Sequence, residues 1–129
     1  MKIVYSDKKS GKTAQAEVPK EFEAMVVGRK IGEQIEGSTI KFDGMKLQIT
    51  GLTDNTGSPS RREIDGTRKA RPLLSNAPGI RGAKKGYRAR RLIRGNTVST
   101  DTSQINTVIV EMGTHTLEQL FKPKEKKAE

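Results

Sequence analysis

The chain has 129 residues and a formal net charge of +10, which is the length of about one domain and a charge that calls for a polyanion: RNA, DNA or an acidic membrane surface. It contains no cysteine, which excludes disulfides and any thiolate zinc site and fits an intracellular protein. Apolar residues make up 32%, below the usual globular share, so a small core is expected, with loops or arms that take part of their order from a partner.

In chain order, residues 1–18 predict a hairpin. Ile3 and Tyr5 alternate with polar residues, Ser10-Gly11-Lys12 supplies a turn, and Ala14, Ala16 and Val18 share one face of the returning strand. Met1–Tyr5 enters this alternation without the apolar core of a signal peptide, and no apolar run approaches the ~18 residues of a membrane span, so the cytoplasm is the expected location. After Pro19, Lys20–Val27 predicts one or two helical turns with Phe22, Met25 and Val26 on one side. Ile31, Ile35 and Ile40 follow among polar residues. Asp43-Gly44 predicts a hairpin turn between Ile40-Lys41-Phe42 and Met45–Ile49. Thr50–Pro59 is a loop by composition.

The charge is concentrated in Arg61–Gly95. This stretch carries twelve bases against two acids, and the rest of the chain carries thirteen of each. The type of base also changes, since nine of the twelve are Arg, whereas Arg29 is the only Arg elsewhere. Lys is a hydrated point charge suited to a solvated face. Arg is planar, grips phosphate through paired hydrogen bonds and stacks on bases. A solvated basic loop needs no such switch, so the segment predicts a phosphate-contacting surface made by Arg61, Arg62, Arg68, Lys69, Arg71, Arg81, Lys84, Lys85, Arg88, Arg90, Arg91 and Arg94. Arg71-Pro72-Leu73-Leu74 is apolar enough to touch the core, whereas Gly79–Gly86 has too few apolar anchors to hold itself still. Arg88, Arg90 and Arg94 share one side of an extended strand and Arg91 the other. Tyr87 stands among these bases, where it either stacks on an exposed base or docks the arm on the core. Beyond the arm, Leu92-Ile93 and Val98 predict a strand and Ile105–Met112 a stronger one. Leu117, Leu120 and Phe121 predict a short helical turn, and residues 122–129 a disordered charged tail. The expected fold is mostly β: a small antiparallel β-barrel of about six or seven short strands, with a short helix, a C-terminal helical turn and a basic Gly/Arg-rich arm at 61–95, all in one domain over 1–121.

Nothing in the chain supports catalysis. The single histidine, His115, has no second His or Cys to share a metal. The G-x-x-x-x-G-K-[ST] phosphate loop, Rossmann glycine spacing and G-x-S-x-G are all missing. Asp54-Asn55-Thr56-Gly57 is better explained as a turn than as an acidic site. No enzyme activity, cofactor, metal or small-molecule substrate is expected.

Three stretches carry a resemblance. Ile49-Thr50-Gly51-Leu52-Thr53-Asp54-Asn55-Thr56-Gly57-Ser58-Pro59 resembles a strand followed by G-G-x-D-x-x-G-x-P, with Gly51, Asp54, Gly57 and Pro59 kept. Gly86–Gly95 is similar to an Arg-rich run that ends in Arg-Gly, and Asn96–Val110 to a closing strand pair with an Ile105-Asn106 step. The family is the small-subunit ribosomal protein S-six-e (eS-six) family of archaea and eukaryotes. The likeness covers nearly the whole chain, which departs from it at Leu52, where the second Gly is expected, and at Ser60, where Met is usual. The short form is similar to the archaeal members, so the resemblance implies no regulation of the kind tied to the long phosphorylated extension of the eukaryotic ones. The resemblance implies a structural ribosomal protein bound to small-subunit rRNA and to neighbouring ribosomal proteins. The alternative from another class is a free RNA- or DNA-binding chaperone or regulator, which would not travel with ribosomal subunits.

Overall fold

The fold is that of a computed structural model, which describes residues 1–40, 42–77, 80–82 and 84–113. The expected helical turn at Leu117–Phe121, His115 and the tail 122–129 lie outside the described residues.

The N-terminal hairpin is present, with β1 (Lys2–Ser6) antiparallel to β2 (Thr13–Glu17). Asp7 closes the turn by accepting from the amides of Lys9 and Ser10. The helix α1 (Lys20–Val26) follows Pro19. Phe22 packs against the core and Val26 is buried in it, as i,i+4 neighbours should be, but Met25 is 52% exposed and lies off the apolar stripe. The next strand differs from expectation. β3 is Gln34–Glu36, and the chain then turns through a 3-10 segment, Gly37–Ile40, so Asp43-Gly44 turns the chain without closing a tight hairpin. The reason is close approach at Gly37, whose amide donates to the Met45 carbonyl; a Cβ there would run into the Phe42 carbonyl and the Met45 side chain.

β4 (Lys46–Asp54) pairs antiparallel with β9 (Thr102–Glu111). It therefore runs five residues into the stretch whose composition predicts a loop. A register shift between Ile49 and Gly51 makes this possible. Leu47 and Ile49 face the core, the bulge inserts one residue, and the inward positions become Leu52 and Asp54. The Thr/Gly/Asp-rich composition that reads as loop is here a bulged strand end.

Among the described residues, the main sheet has the order β2-β1-β9-β4-β3. It is open, with β2 and β3 as its edges, which corrects the expected barrel. It is also mixed, because β1 runs parallel to β9; alternation has the same period in both kinds of ladder, so the sequence does not distinguish them. The second layer over the inner face is built from Val26 of α1, Ile40 of the 3-10 turn and Val98 of a loop, packed on Ile3, Tyr5, Leu47, Ile49 and Ile105. The Pro- and Gly-punctuated stretches that supply this cover cannot propagate strands that would close the sheet. Tyr5 and Phe42 meet edge to face at 5.9 Å.

Candidate nucleic-acid interface

The basic segment leaves and rejoins the sheet as a two-stranded ribbon. β5 (Lys69–Ala70) pairs with β8 (Ile93–Arg94), and β6 (Leu73–Leu74) with β7 (Ala89–Arg90). Lys69 faces Arg94 and Leu73 faces Arg90, so two residues separate the ladders on each strand and the register is continuous. Pro72 lies in that gap; without an N–H it cannot donate to the ladder. The ribbon thus has two faces. Ala70, Pro72, Leu74, Ala89 and Arg91 are half-buried on one face, with Ile93 fully buried, while Lys69, Arg71, Leu73, Arg88, Arg90 and Leu92 are exposed on the other.

The root of the ribbon is tightly built. The Asp54 side chain is 1% exposed. Its Oδ1 accepts from the Thr56 amide at 2.9 Å, the Thr56 hydroxyl at 2.8 Å and the Ser58 amide at 2.8 Å. Its Oδ2 lies 3.5 Å from Nη1 of Arg94 and 3.6 Å from Nζ of Lys69. Burial alone would raise its pKa, but the hydrogen bonds of Thr56 and Ser58 and the charge of Lys69 outweigh that and hold it below the usual carboxylate value. Arg94, 11% exposed, also reaches Asp101 at 3.8 Å and donates from Nε and Nη2 to the Thr67 carbonyl. Its amide donates to the Pro59 carbonyl, and its own carbonyl accepts from the Arg61 amide. Gly95 passes so close to Gly66 that a Cβ would collide with the Gly66 carbonyl. Buried Asn96 donates to the Arg62 carbonyl and to Asp65.

Each residue of the Gly51–Pro59 pattern has a part in this root. Gly51 sits at the bulge, Asp54 ties the turn to the ribbon, Gly57 takes a left-handed φ of +91°, and Pro59 receives the Arg94 amide. Leu52, where the pattern has glycine, fills core volume opposite Ile105.

Of the predicted contact residues, Arg62, Arg68, Lys69, Arg71, Arg81, Lys84, Lys85, Tyr87, Arg88 and Arg90 are exposed, and Arg61, Arg91 and Arg94 are half-buried. Arg61 is occupied by Glu63 at 3.0 Å and the Asn76 carbonyl at 2.6 Å. Arg90 donates to the Arg71 carbonyl across the ribbon, and Arg91 to the Arg90 carbonyl. Tyr87 is 51% exposed, so it does not dock the ribbon on the core, and neither does Leu73, which is exposed to the same degree. Asp101, Asn96 and Gly95 belong to the root but have no signal in composition or charge. Leu73 and Leu92 did have one: they occupy the same period-two positions as the bases. Among the described residues, no group of three or more His, Cys, Asp or Glu could hold a metal, and no helix is long and apolar enough to cross a membrane.

The family model for Ribosomal protein S6e matches residues 1–122. The chain belongs to that family. Among curated proteins it is similar to the small ribosomal subunit protein eS6 of Methanococcus maripaludis, 46% identical over 112 residues, covering 87% of this chain and 88% of the relative. It is 44% identical over 120 residues to the eS6 protein of Methanocaldococcus jannaschii, covering 93% and 89%, and 39% identical over 128 residues to that of Methanosphaera stadtmanae, covering 99% and 97%. These relatives are archaeal and are named as ribosomal proteins of the small subunit, not as enzymes. The family is one of ribosomal proteins, and the relatives are named as parts of the small subunit.

Proposed function

We propose that the chain is a structural constituent that binds small-subunit rRNA through residues 61–95 and so supports subunit assembly and stability, with neighbouring ribosomal proteins as its other partners. The segment belongs to the same domain as the sheet, spanning 1–121, and acts as its RNA-gripping arm. The observation that supports this is the outer face of the ribbon, where Lys69, Arg71, Arg88 and Arg90 stand exposed in period-two alternation on a frame fixed at its root by Arg94. Phosphate and shape recognition fit this face better than base reading alone, because phosphate contacts are what position a protein on nucleic acid.

Two measurements test the proposal. In a lysate of its own cells the tagged chain should co-sediment with the small subunit and remain there after a high-salt wash; protein left at the top of the gradient would instead favour a free nucleic-acid binder. With purified rRNA, replacing Arg71, Arg88 and Arg90 by Gln should weaken binding, and each lost phosphate contact should flatten the log–log salt slope by about 0.7–0.9. Unchanged affinity would end the assignment of the arm.

A further inference from the structure

The outer face of the ribbon carries more than charge. Leu73 is 51% exposed and Leu92 43% exposed. Leu73 pairs with Arg90, and the continuous register sets Leu92 opposite Arg71. The reverse face already holds Ala70, Leu74 and Ile93, so these two leucines are not needed to seat the ribbon. A face that touched only phosphate would gain nothing from apolar side chains in water. Tyr87, near the tip, adds a third exposed apolar surface.

We propose that this face recognises RNA that displays an unstacked base, as at a bulge or internal loop, in preference to a regular duplex; the proposal rests on the RNA-binding reading above. A regular A-form helix offers phosphates and 2′-hydroxyls on its outside, keeps its bases stacked, and has a deep groove too narrow for side chains. Leucine finds no apolar partner there. An unstacked base exposes its face, and an apolar side chain beside it removes surface from water on both partners. The arrangement suits that target: each leucine has an arginine directly across the ribbon, so the phosphates flanking a displaced base can be held while the leucine covers the base. The Arg90 guanidinium, bonded to the Arg71 carbonyl, is already spread across the face.

The test uses the full chain and two blunt-ended RNA duplexes without terminal loops, equal in nucleotide number and charge, one fully paired and one with a small internal bulge, with binding followed by fluorescence anisotropy across a salt series. The wild-type protein should bind the bulged RNA about tenfold more tightly. The double variant Leu73→Ser/Leu92→Ser should lose that preference while keeping its duplex affinity and its salt slope. Both leucines are about half exposed, so the variant should unfold at the urea midpoint of the parent, which is measured alongside. Arg71→Gln/Arg90→Gln should weaken both RNAs and flatten both slopes. Equal wild-type affinity for the two RNAs overturns the proposal, and so does a leucine variant that keeps the preference; the leucines would then face a protein neighbour. If the wild-type protein binds neither RNA, the RNA-binding reading fails with it.

Discussion

Nη1 of Arg94 lies 3.5 Å from Oδ2 of Asp54, and both side chains are shielded from water. This contact joins the end of the Arg-rich run to the Gly51–Pro59 turn, two stretches about forty residues apart. Arg94 is grouped by sequence with the arginines expected to contact phosphate, yet its side chain is spent on Asp54, Asp101 and the Thr67 carbonyl.

Arg94 and Arg90 should therefore behave differently. Removing one partner of a buried ion pair costs roughly 3–5 kcal/mol. Lys69 remains 3.6 Å from the same oxygen, so Arg94→Gln should lose about 2 kcal/mol of stability. Arg90→Gln, on the exposed face, should stay within about 0.5 kcal/mol of the parent. Urea midpoints at constant slope measure both, and equal midpoints would show that the root is not held by this pair.

Acid should weaken the same root. The Asp54 carboxyl has a folded pKa below its unfolded value, so its contribution is present above about pH 4 and is lost as pH falls through the folded pKa. The difference in urea midpoint between the wild-type protein and Asp54→Asn should shrink as the pH is lowered from 6 towards about 2. Asp7 is also held low, by hydrogen bonds from Lys9 and Ser10; the comparison with Asp54→Asn cancels its share. A constant difference across the range would rule Asp54 out as the acid-sensitive group.

Gly95→Ala should be among the most damaging single-carbon changes in the chain. The added methyl meets the backbone carbonyl of Gly66, which cannot swing aside as a side chain can. Overpacking of this kind costs roughly 1–3 kcal/mol or more. Amide exchange should show it locally, since the Gly95 amide donates to Arg68 and the Asn96 amide to Ile64. Faster exchange at these two, with Ile105 and Thr107 of β9 still protected, is the expected pattern; a uniform change would place the strain elsewhere.

The lysines of the β1–β2 turn make the control for RNA binding. Lys8, Lys9 and Lys12 are exposed, but they lie in the part of the chain whose charges cancel. Their replacement by Gln should change the salt slope of rRNA binding less than the loss of Arg71, Arg88 and Arg90. Equal effects on the slope would mean that binding follows total charge and not the ribbon.

Alternation and composition determined a good deal. They gave the N-terminal hairpin, the helix after Pro19, the long C-terminal strand and the concentration of arginine, because each depends on neighbours in the chain or on a sum over it. Tertiary structure decided what depends on distant partners. The bulge at Gly51 turned an apparent loop into strand and sent Asp54 inward. The seat of β1 beside β9 is parallel, which alternation cannot signal because it has one period for either direction of pairing, and the sheet is open where a closed barrel was expected because the stretches that cover its inner face are broken by Pro and Gly. Pairing also separated the arginines: identical side chains at period-two positions are exposed at Arg88 and Arg90 but shielded and structural at Arg94, because only the folded chain brings Asp54 and the Thr67 carbonyl to that one.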